Sequence, residues 1–268
     1  MKVLILHKNE AEAYKMSHRI FSDFQARNIE AVVQEKTDLQ LLPDYTLLIV
    51  LGGDGTILEC VHALAGSDIP LLGINFGKVG FLSSIEPDDW PSVMEKLIQQ
   101  YYTLDKRMML DVKIIRNGQA FYLGKALNDA VIRSQVLHII TLKLSINDSP
   151  YAIYRADGVV CATPTGSTAY SYSAGGPVLV PDLEAVAVTP VCPQLSCSRA
   201  LIVSADAKLE LTVDSDYGAG IALDGKKEMD LINGDQVIIG KSSQTISFVR
   251  INPTPVMKRI RYCRNRIL

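Results

Sequence analysis

Leu47-Leu48-Ile49-Val50-Leu51-Gly52-Gly53-Asp54-Gly55-Thr56 is the stretch that decides how this chain folds. Its first five residues are apolar without alternation, the pattern of a strand buried on both faces in a parallel sheet. The run stops at a glycine cluster, and Ile57–Ala65 continues at helical spacing. A buried strand that turns directly into a helix puts the turn at the carboxyl edge of an open α/β sheet, where ligands bind. Glycines there let the backbone come close to a phosphate and take positive φ without a Cβ penalty. Free N–H groups at the helix start favour anionic oxygens. Gly52, Gly53, Gly55 and Thr56 are therefore candidate phosphate ligands. A carboxylate inside such a turn repels phosphate unless it binds a metal or takes a proton from an attacking hydroxyl. Asp54 is thus a candidate general base, or a magnesium-organising group, for phosphoryl transfer. The alternative is a turn chosen for geometry alone, with Asp54 as a helix cap.

Upstream, Val3–His7 is another continuous apolar run, and Tyr14, Ser17, Ile20, Phe21 and Phe24 recur at helical spacing within Glu10–Arg27. Downstream, Pro70–Ile74 reads as a buried strand and Asp88–Gln100 as a helix, with Asp88 or Asp89 able to cap it. This alternation predicts a parallel sheet with helices on both faces. Past about Tyr102 the pattern changes. Val112–Ile115 and Ala120–Leu123 flank Asn117-Gly118, and His138–Ile146 and Tyr151–Tyr154 flank Asn147-Asp148, so both pairs read as hairpins. Strand-like runs continue at Ala185–Val191, Leu201–Ser204, Lys208–Val213, Gln236–Ile239 and Thr245–Ile251, with a short helix near Ser167–Ala174. The expected fold class is α/β plus β: an N-terminal α/β open-sheet domain over residues 1–103 and a mostly antiparallel β domain over 104–251.

The second half carries the densest polar stretch, Arg155-Ala156-Asp157-Gly158 followed by Thr163–Pro177. Its hydroxyls and backbone amides suit ribose and phosphate oxygens, and Tyr170 suits a planar base. A Ser/Thr-capped turn is the structural alternative. Asn128 both donates and accepts, and Asp129 can accept from a sugar hydroxyl; a plain turn before a strand accounts for the pair equally well. Other nucleotide motifs fail. Position 235 is Asp where a P-loop ending in Gly240-Lys241-Ser242 needs Gly, and Lys227 stands where Gly220–Lys226 would need Ser or Thr. No G-x-G-x-x-G follows the first strand, which excludes a Rossmann oxidoreductase.

Composition narrows the class. The 268 residues are 48% hydrophobic with a formal net charge of −2, so there is no electrostatic footprint for nucleic acid. No apolar run is long enough for a membrane span, and Met1–His7 reads as a strand without a signal-peptide pattern. Five cysteines without C-x-x-C spacing and four scattered histidines argue against a zinc site or a disulfide framework, and for a reducing cytoplasm. Lys258, Arg259, Arg261, Arg264 and Arg266 form the one strong charge cluster, either a solvated tail or a nucleotide-facing one.

Gly52–Thr56, Gly73-Ile74-Asn75-Phe76-Gly77-Lys78-Val79-Gly80-Phe81-Leu82, Asn128-Asp129 and Arg155–Pro177 occur in the order and spacing of the NAD kinase family. The chain resembles that family over most of its length, more weakly through Val186–Ser204 and at Asp224-Gly225. Phosphofructokinases and lipid kinases share the Gly-Gly-Asp-Gly turn, so the register of several motifs is what makes the likeness specific. The resemblance implies transfer of the ATP γ-phosphoryl group to the 2′-hydroxyl of the NAD adenosine ribose, with magnesium as cofactor and a homodimer or homotetramer as assembly. Matched residue by residue, Asp54 activates the hydroxyl. Gly55, Phe76, Asn128, Asp129, Asp157, Thr168, Ala169, Tyr170 and Ser173 fall at positions resembling dinucleotide contacts. Asp224 resembles a residue that reaches a neighbouring subunit's ligand, and the last residues, about 252–268, resemble a tail that returns to the first domain.

Two positions depart from the pattern. Asp129 stands where the family usually has Glu, one methylene shorter, so its oxygen shifts or reaches through a water. Gln194 follows Pro193 where the family often has His, and an amide does not titrate near neutrality. Two rivals remain from the sequence: a lipid kinase, against which no basic amphipathic helix is apparent, and a dinucleotide sensor without catalysis, against which Asp54 is intact.

Overall fold

The computed structural model describes residues 1–35, 44–64, 67–77, 80–83, 85–194 and 199–251. The basic tail, its expected return to the first domain, and Lys78 and Val79 lie outside the described residues. The described residues form two compact units, one of Met1–Arg107 with Thr245–Ile251, the other Met108–Gln244. The expected change at residue 103 falls at the start of a long strand that runs through the division, and the chain rejoins the first unit at Thr245, in mid-strand.

The first unit contains β1 (Lys2–His7), α1 (Ala11–Gln25), β2 (Glu30–Glu35), β3 (Leu47–Gly52), α2 (Asp54–Leu64), β4 (Leu71–Asn75) and α3 (Trp90–Ile98). Its strands lie parallel in the order β2-β1-β3-β4. All six residues of β3 are buried, as an uninterrupted apolar run in a twice-covered sheet requires. Val3, Ile5, Ile49, Leu51, Leu72 and Ile74 point to one face and pack against Ala13, Met16, Ile20 and Phe24 of α1 and Trp90, Val93, Met94 and Leu97 of α3. On the other face Gly73 leaves room for Ile57 of α2: a Cβ there would stand 2.7 Å from the isoleucine Cδ1. Neither Asp88 nor Asp89 caps α3 through its side chain. Asp89 instead accepts from the Glu86 amide and closes a 3-10 turn over Pro87–Asp89 that leads into the helix.

The second unit is two antiparallel layers. The strands are β5 (Thr103–Arg116), β6 (Gln119–Ala126), β7 (Asp129–Ser134), β8 (Ile140–Ile146), β9 (Ser149–Ala156), β10 (Gly158–Ala162), β11 (Ala185–Val191), β12 (Leu201–Ser204), β13 (Leu209–Asp214), β14 (Ala219–Leu223), β15 (Lys226–Leu231) and β16 (Gln236–Arg250), with the short α4 (Tyr170–Ser173) between β10 and β11. One layer has the order β12-β11-β10-β7-β14-β15; in the other, β16, β13, β8 and β9 are successive neighbours and β5 pairs with β16 and β6. The core is carried by Val112, Ile114, Leu142, Leu144, Leu211 and Ile239 from one layer and by Ile132, Val159, Val188 and Ile221 from the other.

Asn117-Gly118 and Asn147-Asp148 turn their hairpins with positive φ at both central residues, as two-residue loops of this kind require. The two runs read as Gln236–Ile239 and Thr245–Ile251 are one strand, because Gly240–Gln244 continues extended instead of turning. Five strands, β2, β7, β10, β14 and β15, lie outside the runs that the sequence pattern marks as strands. Among the described residues, no helix is long and apolar enough to cross a membrane.

Candidate active site

In the first unit the glycine turn sits where β3 ends and α2 begins. Asp54 is the first residue of α2, so the helix starts three residues before the sequence pattern suggests. Its two carboxylate oxygens each accept a backbone amide, Oδ2 from Phe81 at 2.9 Å and Oδ1 from Leu82 at 3.0 Å. This clamp fixes the plane of the carboxylate and leaves a second lone pair on each oxygen. The clamping loop is itself braced. Arg250 donates from Nη1 to the Leu82 carbonyl at 3.0 Å and from Nε to Asp105 at 2.8 Å. Burial pushes the Asp105 carboxyl up, but Arg107 and Arg250 outweigh it and hold the group below the usual carboxylate range. None of this brace is legible in the sequence, since an arginine and an aspartate so far apart in the chain give no local signal.

The three glycines of the turn have different reasons. A Cβ on Gly52 would stand 2.5 Å from the Thr56 Cβ, and one on Gly77 would stand 2.9 Å from the Gly53 Cα. Gly52 and Gly77 therefore serve close packing, whereas a Cβ on Gly53 would meet the Gly77 Cα at an ordinary 3.4 Å. Positive φ, expected for the turn, occurs at none of Gly52, Gly53 and Gly55. Gly55 is exposed, and a methyl placed on it would meet nothing within 4 Å, so its bareness keeps the approach to the helix start open. Phe76 follows β4 and donates its amide to the Gly52 carbonyl at 3.1 Å, while its ring packs at the edge of the core.

In the second unit Asp224 organises the Asn128-Asp129 segment. Its carboxylate accepts the amides of Leu127 at 2.8 Å, Asn128 at 2.7 Å and Asp129 at 3.0 Å. Asp224 and Gly225 are the two central residues of the β14–β15 hairpin, both with positive φ, which aims this carboxylate at the start of β7. From the opposite side Thr163 donates its hydroxyl to the Leu127 carbonyl at 2.5 Å and its amide to the Asn128 carbonyl at 2.8 Å. Gly166 is pressed so closely that a Cβ would lie 2.0 Å from the Asn128 carbonyl oxygen. The segment is thus fixed through its backbone, and among the described residues the Asn128 and Asp129 side chains make no hydrogen bond of their own. Burial, helped by the nearby Asp224 charge, pushes the Asp129 carboxyl up to about 7.

The hydroxyl-rich stretch divides by role. Ser167 donates to the Pro164 carbonyl at 2.7 Å and accepts the Leu179 amide at 2.9 Å, and Ser171 pairs with Thr189 at 3.0 Å. These buried hydroxyls lock the loop. Thr168, Ala169 and Tyr170 are half-buried and Ser173 is exposed, so these remain accessible. Tyr170 packs against Val131, Val160, Ala162 and Val191, and it borders a cleft of about 560 Å³ also lined by Arg133, Gly220, Gly225 and Lys227. Asp157 bridges β9 and β10; its amide donates to the Val191 carbonyl at 3.0 Å and its carbonyl accepts from Ser134 at 2.8 Å. Gln194 is exposed, held by its amide to the Arg155 carbonyl at 2.7 Å, so the family's frequent histidine is replaced at a surface position.

Comparison with known proteins places this arrangement. The model of the ATP-NAD kinase N-terminal domain matches residues 43–102, and that of the ATP-NAD kinase C-terminal domain matches residues 127–251. An NAD kinase of Symbiobacterium thermophilum is 42% identical over 210 residues, covering 76% of this chain and 73% of that protein. An NAD kinase of Chloroflexus aggregans is 35% identical, with 94% of each chain covered. Among solved structures, yeast NADH kinase complexed with NADH superposes with a TM-score of 0.89 at 22% identity, over 99% of this chain and 88% of that one. An NAD kinase from Archaeoglobus fulgidus in complex with ATP gives 0.78 at 24% identity, over 100% and 98%. At these identities the structural likeness is one of fold, and the sequence relatives carry the kinship: the chain belongs to the NAD kinase family.

Proposed function

We infer that the chain is an NAD kinase, a phosphotransferase that moves the γ-phosphoryl group of ATP onto the 2′-hydroxyl of the adenosine ribose of NAD, giving NADP and ADP. The observation that carries the reading is the clamped Asp54 carboxylate at a helix start inside a glycine turn, in a chain of this family. In the reaction the ribose 2′-oxygen bonds to the γ-phosphorus as the bond to the β–γ bridging oxygen breaks, and ADP leaves. Asp54 takes the hydroxyl proton through a lone pair that the Phe81 and Leu82 amides leave unused. Gly52, Gly53, Gly55 and Thr56 border the phosphate chain, and amides at the start of α2 bear on its developing charge. Asn128, Asp129, Asp157, Thr168, Ala169, Tyr170, Ser173, Phe76 and Asp224 are assigned to the dinucleotide. For Asp224 this assignment is indirect, through the backbone of residues 127–129.

Magnesium fits the donor set in one manner. Among the described residues no three His, Cys, Asp or Glu side chains gather to hold a metal, so the ion would be held mainly by the triphosphate and water, with Asp54 the carboxylate at hand. When bound it neutralises phosphate charge. The reading also takes the enzyme to be a cytoplasmic homodimer or homotetramer; free thiols at Cys60, Cys161 and Cys192 support a reducing compartment.

The test is NADP formation from NAD, ATP and magnesium, scored with an NADP-specific dehydrogenase. Asp54→Asn should lower kcat by about 10²–10⁴-fold, the usual contribution of a general base. The amide substitution also sets an NH2 against one clamping N–H, so thermal melting must accompany the assay. Near-normal turnover in a folded Asp54→Asn enzyme would overturn the assignment, and NAD binding without turnover in the unsubstituted protein would favour a sensor.

A further inference from the structure

We propose that the nucleoside end of the phosphoryl donor, its base and ribose, binds in the cavity at the carboxyl ends of β1 and β2, and that Lys8 carries the phosphate chain from there toward the glycine turn. The proposal rests on the kinase reading above.

The chain order creates the opening. β1 has β2 on one side and β3 on the other, so the connections leaving β1 and β3 diverge, and ligands of open α/β sheets bind at such a divergence. A cavity of about 590 Å³ lies beside it, lined by His7, Asn9, Tyr14, His18, Val33 and Glu35. That volume is in the range of small-molecule sites. Register explains its chemistry. Ile5 pairs with Val33 and His7 with Glu35, and alternation along the strands turns His7, Val33 and Glu35 to one face. Tyr14 and His18, one helical turn apart on α1, close over that face. The three rings are in contact edge to face, His7 to Tyr14 at 5.4 Å and Tyr14 to His18 at 4.5 Å between centroids. Tyr14 nevertheless stays 52% exposed, leaving an aromatic surface on which a base of any identity can stack. Glu35 ends β2 and offers carboxylate oxygens to sugar hydroxyls.

Carboxylates at Glu10 and Glu35 repel phosphate, so the uncharged part of the nucleotide suits the cavity and the triphosphate belongs elsewhere. Lys8 supplies the way out. Its ammonium donates to the Phe76 carbonyl at 2.6 Å and pairs with Glu10 at 2.7 Å, which leaves a third N–H. The Phe76 amide in turn donates to the Gly52 carbonyl, and the Lys8 amide to the Leu51 carbonyl, each at 3.1 Å. The lysine head is therefore one residue, Phe76, from the glycine turn. From the end of β2 to the end of β3 is two strand spacings, about 10 Å, a distance that an extended nucleoside triphosphate spans.

Steady-state kinetics on the full chain test this with Tyr14→Ala and Glu35→Gln, alongside ATP titration by calorimetry without NAD. Tyr14→Ala should raise KM for ATP roughly fivefold or more, the low end of what losing one stacked base costs, with KM for NAD within about twofold. Glu35→Gln should move KM for ATP in the same direction. Unchanged KM for ATP in both variants, each melting as the parent does, would overturn the proposal. A rise confined to KM for NAD would overturn it too, since the cavity would then serve the acceptor. If the parent forms no NADP, the kinase reading fails on its own. Calorimetry then decides the site: weaker ATP binding in Tyr14→Ala sustains it, whereas equal binding, or none by the parent, ends it.

Discussion

Removing the Asp224 carboxylate should loosen the second unit by an amount that the hydrogen bonds determine. Asp224→Ala deprives three amides of their acceptor, those of Leu127, Asn128 and Asp129. Leu127 and Asp129 are buried and Asn128 is only half-buried, so water can replace the acceptor for Asn128 more readily than for the other two. Each buried donor left unpaired costs about 1–3 kcal/mol, which gives roughly 2–6 kcal/mol for the pair. Relief of the repulsion between Asp224 and Asp129 offsets part of this where Asp129 is ionised. Asp224→Asn should fall between, because its one carbonyl oxygen can still serve Asn128 and Asp129 while its NH2 faces the Leu127 amide, a loss of about 1–3 kcal/mol. The measurement is urea unfolding followed by circular dichroism, since Trp90, the one tryptophan, lies in the first unit and does not report on the second. Stability of Asp224→Ala within about 0.5 kcal/mol of the parent, the scatter of ordinary surface substitutions, would refute the view that this carboxylate holds the segment.

Two further outcomes follow from the same region. The Asp129 carboxyl is raised from 3.8 to about 7 in the folded chain, so its contribution to stability is full below about pH 4 and is lost as pH rises through about 7. Asp129→Asn should therefore lack a fall of about 1.4 kcal/mol per pH unit over that window, and equal pH slopes of unfolding free energy in the two proteins would exclude it. Gly166→Ala forces a methyl onto the Asn128 carbonyl, where the contact is backbone and cannot swing aside. It should cost about 3 kcal/mol and raise KM for NAD, whereas Gly55→Ala, with open space around it, should melt as the parent does. Equal melting of the two variants would show that the contact at Gly166 is not tight.

Local signals carried much of the fold. The apolar run of β3 against its glycine turn, the helical spacing of α1, and Asn117-Gly118 at a hairpin are legible because each depends on near neighbours. β14 and β15 escape although Asp224-Gly225 joins them, since Gly220 and the charged Lys226–Asp230 blur the alternation that marks a strand. β7 and β10 escape because Asp129 and Gly158 stand at their starts, where a polar residue or a glycine suggests a turn.

The sequence by itself determined the α/β-plus-β division, the glycine turn with Asp54 in it, and the family, because composition, period and motif order are properties of the chain read in one dimension. Only the tertiary structure decided what holds those residues. Asp54 takes its orientation from amides 27 and 28 positions away, and the backbone of Asn128 from a carboxylate 96 positions away. The same folding engaged the hydroxyls of Ser167 and Ser171 inside the loop and left Thr168 and Ser173 accessible. A hydrogen bond depends on distance and angle in space, and residue types along the chain do not state which donors a given carboxylate or hydroxyl will meet.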